Sequence, residues 1–126
     1  MITIQVSIGE LIDKYSILQI KRSKVTGDKL EKVNHEMKAL LPEVGPLIGI
    51  DAIDKLYEDL IGVNLQLWDV EDQLRILEKE KDFGDKFVEL ARSVYHLNDE
   101  RFSIKNKINI LLGSDIREVK QYIDYK

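Results

Sequence analysis

The chain opens on an alternation. Ile2, Ile4 and Val6 are apolar, and Thr3 and Gln5 between them are polar. A period of two predicts a half-buried strand over 2–6. The period then changes. Ser7 and Glu10 have capping-box spacing, with the serine oxygen on an orphan amide and the glutamate reaching back. A first helix is predicted over about 8–24, with Ile8, Leu11, Ile12, Tyr15 and Leu18 on its inner stripe and Gly27 as a natural stop. Asp28 and Glu31 repeat the capping spacing. Leu30, Val33, Met37, Leu40, Leu41 and Val44 then keep one face of a second helix buried. Pro42 is expected to end or bend that helix near Leu41. The stretch 42–50 holds both prolines and two glycines and reads as the one obvious loop.

The next two segments carry the clearest pattern. Asp51 suits an N-cap. After it, Ile53, Leu56, Leu60, Val63, Leu67, Val70, Leu74 and Leu77 step by three and four, a heptad seam. Gly62 is the weak helix former in this run, and a tight approach by another helix would explain it. Asp82-Phe83-Gly84 reads as a short turn. A fourth helix from about Asp85 repeats the seam with Phe87, Leu90, Val94, Leu97, Ile104, Ile108 and Leu111, broken by Arg101. Two long helices joined by so short a turn are expected to lie antiparallel, so 51–112 forms one hairpin. Gly113 stops the fourth helix, and Ser114 is expected to cap a short final one carrying Ile116, Val119 and Ile123.

Composition narrows the function classes. The length of 126 residues suits a single helical domain, 1–126, with one core. Lys and Arg number 19 against 23 acidic residues, for a net charge of −4. That lacks the basic excess of a general nucleic-acid binder. The local cluster Lys21, Arg22, Lys24 and Lys29 is interrupted by Asp28 and Glu31 and reads as a solvated face. Cysteine is absent, which excludes disulfides, thiolate metal sites and thiol catalysis and agrees with a cytoplasmic setting. The N-terminus has no signal-peptide pattern, and no apolar run reaches membrane-spanning length, so no membrane association is expected.

Candidate chemistry sits on a second stripe beside each seam. On the third helix it runs Tyr57, Ile61, Asn64, Trp68, Glu71 and Arg75. On the fourth it runs Ala91, Tyr95, Asn98, Phe102, Lys105 and Asn109. In a hairpin turning near Phe83, Trp68 lies level with Asn98 and Glu71 with Tyr95. Arg101, on the seam itself, is expected to be buried and paired with a carboxylate, Glu71 first among them. The resulting polar layer has two readings. One is a satisfied internal network that fixes register. The other is a ligand pocket lined by Asn64, Trp68, Glu71, Tyr95, Asn98, Arg101 and Lys105. Glu10 and Lys14 stand four apart as an ordinary surface pair, unless Lys14 and Lys21 turn into the polar layer. His35 and His96 lie off the apolar stripes and make no metal-site spacing, so neither metal nor other cofactor is implied. There is no phosphate loop, nucleophile elbow or convincing acid–base carboxylate pair.

Several of these residues also carry a resemblance. They are Val6-Ser7-Ile8-Gly9-Glu10-Leu11-Ile12-Asp13-Lys14, Asn64 with Leu67-Trp68, and Glu71-Asp72 with Arg75. Leu90-Ala91-Arg92-Ser93-Val94-Tyr95, Asn98-Asp99-Glu100-Arg101, Ile104-Lys105, Ile108-Asn109 and Gly113-Ser114 with Tyr122 continue it. Together they resemble a family of small helical bacterial and bacteriophage proteins known as a domain of unknown function. The match is poor over 24–56, and Tyr15-Ser16 stands where the family pattern has Ile-Thr. The resemblance brings no activity, so it assigns no catalytic role to any residue.

The expected fold is therefore all-α, a bundle built on the 51–112 hairpin with two shorter helices before it and a short one after. Two function classes follow. One is a non-catalytic interaction or regulatory protein acting as a homodimer or higher oligomer, with or without a further protein partner. The other is a small-molecule binder or enzyme using the mid-hairpin layer. An all-α chorismate-mutase-like enzyme is the precedent, by fold analogy alone.

Overall fold

A computed structural model describes all residues, Met1–Lys126. The chain is all-helical, with four helices: α1 (Ile8–Lys24), α2 (Gly27–Ile48), α3 (Asp51–Glu80) and α4 (Asp85–Leu112). The longest helix–helix contact joins α3 and α4 across the short connection 81–84. Lys81 in the left-handed region closes α3, its amide donating to the Glu78 and Leu77 carbonyls. Helix α1 packs against all three others, and α2 covers α1 and the start of α3.

The seams account for the core. Ile53, Tyr57, Leu60, Val63 and Leu67 of α3 meet Leu97, Ile104 and Ile108 of α4, with Ile12 of α1 closing the layer. Burial of α3 stops at Leu67, and burial of α4 begins at Leu97. The chain is thus thick where α1 covers the long helices and thin toward Phe83.

Four local expectations fail. Residues 1–7 form no strand. A lone strand has no partner for its backbone groups, and 47–48, the nearest strand-like stretch, is helical. Helix α2 does not end at Pro42 but runs through Pro42 and Pro46 to Ile48. Both prolines face solvent, where water serves the carbonyls they leave unpaired, while Val44 between them is fully buried. Thr26, rather than Asp28, stands at the N-cap of α2, and Gly27 begins that helix with φ +62°. The segment after Gly113 forms no helix, and Val119 and Ile123 stay exposed with no face to pack against.

The glycine expectation also moves. A Cβ at Gly62 would meet nothing within 4 Å, so no helix approaches there. The close approach is at Gly9, where a Cβ would stand 2.5 Å from the backbone oxygen of Lys105. Glycine at this position lets the start of α1 lie directly on α4.

Candidate functional site

The polar layer is built around Asp13. Residues 9, 13, 16 and 20 share one face of α1 by three–four spacing, and Gly9, Asp13, Ser16 and Ile20 are all buried. Asp13 is 1% exposed. Arg101 of α4 binds it in a bidentate fork, with Nε donating to Oδ1 at 3.0 Å and Nη2 to Oδ2 at 2.5 Å. Asn64 of α3 donates from Nδ2 to Asp13 Oδ1 at 3.0 Å and to Ser16 Oγ at 2.9 Å. Ser16 Oγ donates to the Asp13 carbonyl at 2.6 Å. One carboxylate thus ties three helices together with fixed geometry. The hydrogen bonds it donates to Asp13 raise the guanidinium of Arg101 above its ordinary value against the opposing effect of burial.

Lys105, one turn further along α4, has an 8% exposed side chain. Its Nζ donates to Glu10 Oε2 at 2.8 Å and lies 2.8 Å from Glu118 Oε2. Burial alone would lower this lysine, but the two carboxylates outweigh it and the net shift is upward. Glu10 therefore reaches across to α4 instead of back to its own helix end. The Ser7 half of the capping box does form, with Oγ accepting from the Glu10 amide at 3.1 Å. Next along, Asn109 Oδ1 accepts from the Gly9 amide at 2.6 Å, and Ser114 Oγ accepts from the Ile8 amide at 3.2 Å. The orphan amides of α1 are served by α4 and the turn after it. No buried side-chain polar atom lacks a partner.

Two open clefts flank this core of hydrogen bonds, and Arg101 and Asn98 line both. The smaller, about 470 Å³, lies between α1, α3 and α4 and contains Asn64, Trp68, Glu71, Asn98 and Arg101. The larger, about 980 Å³, lies between α4 and the C-terminal segment and contains Tyr95, Asn98, Arg101 and Lys105. There Lys120 pairs with Asp99, and the Tyr125 hydroxyl donates to the same carboxylate. Asp99 is held below the carboxylate range by Lys120 first and Tyr125 second, while the bond to Asp99 pushes Tyr125 up to about 12.

The residues expected to line one layer are divided between the two clefts, which share Asn98 and Arg101. Arg101 pairs with Asp13 and not with Glu71, which lies 3.8 Å from Arg75 on the surface of α3. Arg101 is half-buried, its side chain 28% exposed, because only its inner edge is enclosed. Lys14 points away and pairs with Glu36 of α2 at 3.0 Å. Sequence reasoning missed Asp13, Ser16 and Glu118. The three–four spacing 9–13–16–20 is a readable signal for the first two, masked by the small and polar residues that carry it. Glu118 had none, since it lies in irregular chain.

The residues that could ligate a metal do not gather, and no group of three or more acidic or histidine side chains is suitably placed. No helix is long and apolar enough to cross a membrane. No curated protein and no solved structure matches the chain. The sequence does match one family description over residues 2–124, nearly its whole length. On that match, the chain belongs to the Family of unknown function (DUF6165).

Proposed function

We propose that this chain is a non-catalytic helical interaction protein that acts as an oligomer, with a second copy of itself as the first partner. The supporting observation is the exposed apolar alternation ahead of α1. Ile2, Ile4 and Val6 alternate and are exposed at 91, 72 and 43%. Ile110 and Leu111 at the end of α4 and Val119 and Ile123 in the last segment are exposed as well. An exposed apolar alternation is a face that a partner would cover. Pairing of 2–6 with the same segment of a second copy would serve both backbones through two-fold symmetry. In the same reading, α3 and α4 form an antiparallel hairpin with coiled-coil seams, and the protein is cytoplasmic, in keeping with its lack of cysteine.

Light scattering on a sizing column at micromolar protein tests the proposal. The expected mass is a multiple of 14.6 kDa, falling to that of one chain in an Ile2→Lys/Ile4→Lys variant with unchanged helical dichroism. A wild-type mass of one chain overturns it.

A further inference from the structure

The chain after α4 is irregular, yet its root is fixed. Ser114 is buried, and its Oγ donates to the Ile116 carbonyl at 2.7 Å while serving the Ile8 amide. Arg117 Nε turns back to the Ser114 carbonyl at 3.2 Å. From that root the segment returns along α4. Glu118 meets Lys105, Lys120 meets Asp99, and Tyr125 reaches Asp99 again. The Tyr125 ring stands edge-on to the rings of Tyr95 and His96, at 4.8 and 5.0 Å between centroids. Its hydroxyl lies 3.5 Å from His96 Nδ1. Partner numbers on α4 fall as those of the segment rise, so 118–125 is a strap laid antiparallel on the helix.

Charge holds this strap, and burial contributes little. Val119, Tyr122 and Ile123 remain exposed. Lys120 lies over the Phe102 ring of α4, Nζ 5.7 Å from its centroid, and over Tyr122 of the strap itself at 5.5 Å. The other strap charges turn inward: Asp124 accepts from the Lys126 amide, and Lys126 lies over the Tyr125 ring. One carboxylate, that of Asp99, therefore carries two of the three polar anchors. Its pair with Lys120 is within reach of water, with side chains 26 and 21% exposed. Ion pairs so placed are weak, and salt weakens them further.

Letting go also strands nothing. When Glu118 leaves, the enclosed Lys105 keeps Glu10, whose Oε2 is 2.8 Å from its Nζ. Neither a buried charge without a partner nor a newly bared apolar core opposes the change.

We propose that 118–125 is a salt-released strap, latched to α4 through Asp99, whose release opens the larger cleft and uncovers Tyr95 and Phe102. The strap belongs to a single chain, and its release is read separately from the mass that tests self-association.

Backbone 15N relaxation of the full chain is the test, in about 0.01 M and about 1 M sodium chloride, where charges are felt over roughly 30 and 3 Å. At low salt the amides of 118–125 should have order parameters near the ~0.85 of rigid backbone, and at high salt they should fall below ~0.6 while those of α4 do not move. Asp99→Asn and Lys120→Gln should each loosen the strap already at low salt. Glu36→Gln, which removes the partner of Lys14 on α2, should leave it rigid. A strap that stays rigid in 1 M salt is held by packing and overturns the proposal. So does a strap already loose in the wild type at low salt, or one that stays rigid in either latch variant.

Discussion

Asp13 places a carboxylate at 1% exposure inside an otherwise ordinary amphipathic helix. A buried charge is tolerable only when its partners are complete, and Arg101, Asn64 and the nearby Ser16 complete it here. Removal of one partner is therefore costly. Arg101→Ala should destabilise by about 3–5 kcal/mol, read from the urea midpoint, because it strands Asp13. Glu71→Ala, at an exposed position, should change stability by less than about 0.5 kcal/mol. That contrast separates the observed pairing from the one suggested by position along the hairpin. The place of Arg101 on the three–four seam of α4 was legible in the sequence, whereas the true partner lies 88 residues away on a different helix. No local period reports such a distance.

Alkaline pH probes the same scale. Burial, and then the neighbouring Tyr15, pushes the Tyr57 phenol up to about 12 from an ordinary 10.0. Lys105 is also raised, from an ordinary 10.5. Both groups hold protons more tightly when folded, so their contribution is whole below pH 10 and is lost as pH rises through the folded values. The denaturation midpoint should be level just below pH 10 and fall between 10 and 12. Tyr57→Phe should make that fall shallower.

At the scale of elements, the seams of α3 and α4 were legible because three–four spacing persists over many turns, and both helices end within a residue or so of expectation. The end of α2 was not legible. A helix-interior proline costs about 3 kcal/mol, and burial of Met37 and Val44 together with contacts of Leu47 and Ile48 outweighs it. The same logic gives an expected outcome. Pro46→Ala restores a backbone donor on the solvent side of α2 and should raise stability by about 1–3 kcal/mol, measured by thermal unfolding. The absent last helix is the mirror case. Its apolar residues have the right spacing, but Val119 at 85% and Ile123 at 92% exposure gain nothing by adopting it. The site divides in the same way. Asn64, Trp68, Asn98 and Arg101 could be found on legible stripes, but Asp13 and Glu118 required knowledge of which helix crosses which.

Across the whole molecule, the start and finish of the chain are sewn together. Gly9 lies on Lys105 and Asn109, Ile8 on Ser114, and Glu10 shares Lys105 with Glu118. Contacts of such sequence separation are slow to form, because a large loop must close before they return any free energy. The consequence appears during synthesis. Helix α1 leaves the ribosome before α4, and Arg101 follows Asp13 by 88 residues. Until then the nascent helix carries a carboxylate meant for burial and no guanidinium to meet it. Helix α1 is thus made well before it can be seated, and a chain cut short before Arg101 would leave Asp13 without the partner that makes its burial tolerable.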